Sequence, residues 1–200
     1  MKQKLFALAF ITGILVFGGC YPDGAQYYEE TDIVYTDYDD SYNFASKGTY
    51  SMPDEIVKIT GNLLEGEDPE FVKEPYNTQI LSKIESNMTA MGYTKADDPT
   101  NADMVLFPAV WTNTTIYYYY DYWCWYNPYY CGWGWGYPSY TTQTSGTLLM
   151  TLIADGDDYV QPTNVWTSGV NGLLSGRYDV NRVNKGIDQA FTQSPYLKTN

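Results

Sequence analysis

A chain of 200 residues with 44% hydrophobic side chains has the size and apolar content of one domain with a real core. Its 24 acidic residues against 11 basic ones give a formal charge of −13, which repels nucleic acid and anionic lipid head groups. It contains no histidine, and this removes Ser/Cys-His triads, histidine metal sites and the commonest general base.

The chain opens on an export segment. Lys2 and Lys4 make a basic start, Leu5 to Phe17 an apolar run, and Gly18-Gly19 place small residues just ahead of Cys20. The apolar run is shorter than the roughly 20 residues that span a bilayer. The pattern predicts a lipoprotein signal over residues 1–19, with a diacylglyceryl group on the Cys20 thiol, cleavage before it, and acylation of the freed amine. Each buried acyl methylene contributes about 0.8 kcal/mol, so several chains together hold the protein at a membrane. An ordinary secretory signal with an incidental Cys20 is the plainer alternative. Loss of the signal takes Lys2 and Lys4 and no acid, leaving 181 residues and a charge of −15.

Residues 20–30 are polar and turn-prone and read as a tether, leaving 31–200 as a single domain. Alternation of Ile33 and Tyr35 with polar neighbours predicts a first strand over Thr31–Tyr38, and Phe44 and Tyr50 extend it towards a second. A connection rich in Gly61, Gly66, Asp68 and Pro69 follows. Ile80, Leu81, Ile84, Met88 and Met91 then recur at helical spacing, with Pro75 near the start and Gly92 placed as a C-cap. Asp103 to Trp111 reads as a strand in which Pro108 marks a bulge or an edge. Gly146 to Ala154, dense in Leu, Met and Ile, is a central strand, Asp155-Gly-Asp-Asp turns, and Asn164 to Leu174 returns beside it. Val180, Val183, Ile187, Ala190 and Phe191 share one face of a final helix. This order predicts an α+β, two-layer sandwich: a mostly antiparallel sheet with two helices on one face and a long aromatic-rich insertion.

Several of these stretches resemble one family. Thr36-Asp-Tyr-Asp-Asp-Ser-Tyr-Asn-Phe-Ala-Ser-Lys-Gly-Thr-Tyr50 is similar to the opening of the DUF4136 domains of bacterial envelope lipoproteins. Met91-Gly-Tyr93, Ala102-Asp-Met-Val-Leu106, Gly146-Thr-Leu-Leu-Met-Thr-Leu-Ile153 and Val165-Trp166 continue the likeness, which runs in order from Ile33 to Leu197. The resemblance implies an α+β envelope lipoprotein domain and implies no activity. The Asp155 to Asn164 connection is longer than the tight turn usual in the family.

Between Ile116 and Tyr140 the composition turns extreme. Tyr117 to Tyr120, Tyr122, Trp123, Trp125, Tyr126, Tyr129, Tyr130, Trp133, Trp135, Tyr137 and Tyr140 crowd together, and Asp121 is the one charged residue. Gly132, Gly134, Gly136, Pro128 and Pro138 among them argue against a helix, which predicts a long hairpin or Ω-like loop. With Cys20 lipidated, Cys124 and Cys131 remain as an even pair in an oxidising compartment, and Asn127 and Pro128 favour a turn between them. They read as a disulfide, with two free thiols as the alternative. Aromatic rings join large apolar area to a polar tip, so Tyr119, Tyr122, Trp123, Trp125, Tyr129, Trp133, Trp135 and Tyr137 are the candidate contact residues. The target could be another envelope protein, a glycan or the bilayer interface, or the loop could fold over its own sheet and complete the core. Nucleic acid is excluded, because stacking aromatics need cations beside them and no Lys or Arg lies between Lys95 and Arg177.

Carboxylate clusters at Asp39-Asp40, Glu65 with Glu67 and Asp68, Asp97-Asp98, and Asp155 with Asp157 and Asp158 are best read as solvated turns. Seating calcium or acting as an acid–base pair is the sharper alternative. Ser145-Gly146 lacks the context of a nucleophile elbow. No cofactor, metal site or catalytic residue is assigned. The sequence therefore predicts a non-enzymatic lipoprotein of the bacterial outer membrane, partnered with the membrane through Cys20 and with envelope protein or glycan through the aromatic loop. A carboxylate-dependent glycan hydrolase is the alternative.

Overall fold

The computed structural model describes residues 33–60, 67–111, 125–126, 146–154, 162–171 and 179–200. In chain order these form β1 (Val34–Tyr38), β2 (Thr49–Ser51), β3 (Val57–Ile59), β4 (Glu70–Phe71), α1 (Tyr76–Ala90), β5 (Thr94–Lys95), β6 (Met104–Trp111), β7 (Thr147–Ala154), β8 (Thr163–Val170) and α2 (Val180–Thr192). Short 3-10 turns occur at Phe44–Ser46, Pro99–Asn101 and Pro195–Leu197.

The strands form one sheet in the order β1-β8-β7-β6-β2-β5, with β3 also on β6 and β4 beyond β3. β1, β8, β7 and β6 pair antiparallel, as does β3 with β4, while β2 and β3 both run parallel to β6 and β5 runs parallel to β2. The fold is thus the expected α+β one, with a more mixed sheet. The stretch from Phe44 to Tyr50 does not extend β1 to a neighbouring strand. It makes a 3-10 turn and then β2, four places away across the sheet. Thr94-Lys95, Val57–Ile59 and Glu70-Phe71 are too short to carry a readable period, and they form through their partners' registers.

Both helices lie on one face. From α1 come Ile80, Leu81, Ile84 and Met88, from α2 Val183, Ile187, Ala190 and Phe191. They share a core with the alternate residues Leu106 and Val110 of β6 and Leu148, Met150, Leu152 and Ala154 of β7. The helix ends follow local chemistry. Glu74, just ahead of α1, accepts from the Thr78 hydroxyl at 2.9 Å, and Asp179 caps α2 by accepting from Asn181 N at 2.8 Å. Gly92 after α1 has φ +103°, a conformation that suits glycine, and a Cβ there would run into the Thr199 side chain. Tyr93 then donates its buried hydroxyl to Leu197 O at 2.8 Å, tying the C-terminal residues to the end of the helix.

The opposite face is also apolar. β6 and β7 are buried along their whole length, as strands with near-continuous hydrophobic runs usually are. Val105, Phe107, Ala109, Trp111, Leu149 and Ile153 join Val57 and Ile59 in a second core, against which Phe71, Trp125 and Tyr126 pack. Among the described residues no helix is long and apolar enough to cross a membrane.

Candidate functional site

Pro108 explains how a cleft arises. β2 pairs with β6 as far as Ser51↔Val105, and pairing resumes only at Val57↔Ala109 on β3. Between those points β6 has Leu106, Phe107 and Pro108, whereas the connection from β2 to β3 has the longer stretch Met52 to Ile56. The extra length bows out from the sheet. Pro108 lacks an N–H, so it stands in a central strand at the one stretch of β6 where no β2 or β3 residue pairs with it. The expectation of a bulge or edge at Pro108 is met locally inside a central strand.

Asn77 holds the bowed segment. Ile56 N donates to Asn77 Oδ1 at 2.9 Å, and Asn77 Nδ2 donates to Asp54 O at 2.9 Å. The side chain is buried, and these two bonds bracket Glu55 and fix the backbone on both sides of it. Asn77 was readable from its spacing, since it stands on the apolar stripe of α1 three residues before Ile80, where a polar side chain needs partners.

On the other side of the gap, Ala96 N donates to Tyr50 O at 2.7 Å and carries the chain on from β5 into Asp97 and Asp98. Asp98 caps the following turn by accepting from Thr100 N at 2.8 Å and Thr100 Oγ1 at 2.7 Å. Those hydrogen bonds, the hydroxyl's first, keep its carboxyl below the ordinary range. Between the two segments lies a cleft of about 370 Å³, lined by Asp54, Glu55, Lys95, Asp97, Trp125 and Tyr126 together with Met52, Pro53, Ala96 and Pro99. Lys95 Nζ lies 3.3 Å from Asp54 Oδ1, an ion pair whose carboxylate is solvent-exposed and which contributes little to stability.

Trp125 and Tyr126 form the aromatic wall and are both half-buried. The Trp125 ring lies 5.2 Å from that of Phe71, and the Tyr126 ring 6.0 Å from that of Phe107, while the Tyr126 hydroxyl donates to Ser51 Oγ at 3.5 Å. Burial pushes the Tyr126 phenol up. The Ser51 hydrogen bond opposes that shift, and the charges of Asp54 and Asp98 add to it. These two residues of the aromatic insertion lie back against the sheet rather than projecting from it. Gly146 N donates to Trp111 O at 2.8 Å, which carries the antiparallel pairing of β6 and β7 to the last described residues on either side of the insertion.

Of the sequence candidates, Trp125 is thus placed in the cleft wall. Cys20, Cys124, Cys131, Tyr119, Tyr122, Trp123, Tyr129, Trp133, Trp135 and Tyr137 lie outside the described residues, as do Glu65, Asp155, Asp157 and Asp158. Asp39 accepts from Ser41 N at 2.9 Å in a solvated turn, as expected of that cluster. Asp97, read as part of a turn, also reaches the cleft. Tyr126, Lys95, Asp54 and Glu55 were not singled out for the site. They come from three distant stretches of chain that meet beside the bowed connection between β2 and β3. Among the described residues no three His, Cys, Asp or Glu side chains cluster so as to hold a metal ion.

Comparison with solved structures places the fold. A DUF4136 family protein from Bacteroides thetaiotaomicron is similar at TM-score 0.62 and 28% identity, over 84% of this chain and 97% of that one. The PelC dodecamer of Paraburkholderia phytofirmans is similar at TM-score 0.42 and 10% identity, over 84% of this chain and 99% of that one. A PDZ domain protein from Parabacteroides distasonis is similar at TM-score 0.43 and 15% identity, over 82% of this chain and 36% of that one. No curated protein matches. The family model for the domain of unknown function DUF4136 matches residues 34–196, from the first residue of β1 to the turn after α2, and the chain belongs to that family.

Proposed function

We propose that this protein is a lipoprotein of the bacterial outer membrane, anchored by lipid on Cys20, with a non-enzymatic binding or structural role in the cell envelope. The observation that carries the anchor is the run from Lys2 to Cys20, in which a basic start, a short apolar stretch and two glycines end on a thiol. The binding role rests on the aromatic insertion. Trp125 and Tyr126 bring large apolar rings to the lining of a cleft and keep part of their surface open, features that suit a contact site for a protein or a glycan. A disulfide between Cys124 and Cys131 would close the segment that carries these two rings.

The Cys20→Ala variant tests the anchor directly. It is expected to lose metabolic labelling with palmitate and to leave the membrane fraction. Labelling and fractionation equal to wild type would reject the lipoprotein reading.

A glycan hydrolase is the second reading, favoured by the same cleft because it brings Asp54, Glu55 and Asp97 beside two aromatic rings. Against it, the Asp54 side chain is 93% exposed, whereas a general acid is usually set in a dry pocket. Release of reducing ends from peptidoglycan or envelope polysaccharide by the purified chain would establish the hydrolase, and its abolition by Glu55→Gln or Asp97→Asn would name the carboxyl.

A further inference from the structure

Among the described residues, the cleft between the bowed segment and β5 gathers more acidic side chains than basic ones. Among the described residues its lining includes the acidic Asp54, Glu55 and Asp97 and the basic Lys95, and Lys95 is already paired with Asp54. Among the described residues no Lys or Arg lies within ion-pair distance of Glu55 or Asp97. Trp125 and Tyr126 line the same cleft. A neutral sugar and a cation can both stack on an aromatic wall, but they differ in what they ask of the opposite side. A sugar asks for donors and acceptors in balance around its hydroxyls. A cation asks for acceptors and uncompensated negative charge, and an aromatic face adds to its attraction through the ring quadrupole.

We propose that this cleft binds an organic cation, an ammonium or guanidinium group carried on an apolar stem, with Trp125 and Tyr126 against the stem and charge and with Glu55 and Asp97 as its acceptors. The volume, about 370 Å³, lies in the range of small-molecule sites and exceeds what a bare metal ion would need. The site is also held in place before any ligand arrives. Asn77 pins the backbone on both sides of Glu55, and Asp98 fixes the turn that follows Asp97. The negative field reaches the aromatic wall, since the charges of Asp54 and Asp98 help hold the proton on Tyr126. The proposal deepens the binding role given above and rests on it, while the lipid anchor plays no part.

The test is a calorimetric titration of the full chain, purified in detergent, with Nα-acetylarginine amide, its neutral counterpart Nα-acetylcitrulline amide, and Nα-acetyllysine amide. The two cations are expected to bind at least about tenfold tighter than citrulline, and more weakly as salt screens the carboxylates. Glu55→Gln with Asp97→Asn should weaken the cations about tenfold and leave the melting temperature in place, because both side chains are exposed. Trp125→Leu should weaken them several-fold. A pentapeptide with arginine at its centre distinguishes the source of the cation. Equal affinity points to a free small amine, and affinity more than about tenfold higher points to a residue of a partner polypeptide. Arginine and citrulline amides binding alike, or the double variant binding as wild type, would overturn the proposal. So would a neutral disaccharide such as cellobiose titrating where the cations do not. Loss of lipid labelling in Cys20→Ala is read in a separate experiment, so the anchor and the cleft fail independently.

Discussion

The two faces of the sheet are buried alike and built differently. On one, α1 and α2 lay regular apolar stripes over Leu148, Met150 and Leu152. On the other, Phe107, Ala109 and Leu149 meet single side chains from short or irregular segments, Phe71, Trp125 and Tyr126. A helix presents an apolar residue every three or four positions along a rigid axis, so its face is self-consistent before it docks. The opposite face depends on pieces that have no such axis. Two residues of the aromatic insertion that pack on that face also line the cleft beside the bowed connection between β2 and β3. The same two residues thus pack on the second core and line the cleft.

The comparison breaks most sharply on truncation of matched core residues. Leu152 and Phe107 are both fully buried, one on each face. Leu152→Ala is expected to cost about 3 kcal/mol and Phe107→Ala about 4 kcal/mol in chemical denaturation. If the second face is a loosely applied cover, Phe107→Ala will cost about 1 kcal/mol or less, and the symmetry of burial will not be a symmetry of energy.

A smaller effect isolates the bowed segment. Asn77→Ala removes the acceptor for Ile56 N and the donor to Asp54 O, leaving both backbone groups to find other partners. The expected cost is about 2 kcal/mol, the ordinary penalty for unsatisfied buried polar groups. Because the helix face keeps its stripe, the helical circular dichroism of the folded variant should match wild type. Binding of arginine amide should fall with it, since Glu55 loses its fixed position. A variant that is destabilised but binds normally would separate the fold of the bow from the cleft.

The ease of reading followed the same division. The helix over Ile80 to Met91 and the one from Val180 to Phe191 were legible because their apolar spacing repeats over several turns, and they are found at Tyr76–Ala90 and Val180–Thr192. The strands at Met104–Trp111 and Thr147–Ala154 were legible as long apolar runs. β2, β3, β4 and β5 were not, since two or three residues hold no period, and their positions are dictated by pairing with β6 or with each other. The cleft was least legible of all. Its walls come from residues 52–55, 95–99 and 125–126, and no local pattern joins them. Two local hints existed. Pro108 in an apolar strand announced a missing ladder partner, and Asn77 on an apolar stripe announced a buried hydrogen-bonding duty.

The smallest expected effect concerns how β2 is latched to β6 beside the cleft. Asp103, just ahead of β6, accepts from Gly48 N at 2.9 Å and from Thr49 N and Thr49 Oγ1 at 2.8 Å each, while Asp103 N donates to Thr49 Oγ1 at 3.0 Å. Burial alone would raise the Asp103 carboxyl. The hydrogen bonds from Gly48 and Thr49, with the Lys47 charge, outweigh it and hold the carboxyl below its ordinary value. A carboxyl lowered in the folded state binds its proton more readily once unfolded. Its contribution is therefore fully present above the unfolded value, near 3.9, and is lost as pH falls through the folded value. Asp103→Asn should cost about 1 kcal/mol at pH 7, a modest figure because the carboxyl is solvent-exposed. The gap between variant and wild type should close as the pH drops below about 4. Denaturation series at pH 7, 5 and 3 would show this. A gap that stays constant with pH would mean that the hydrogen bonds to Gly48 and Thr49 survive protonation, and that the latch depends on shape rather than charge.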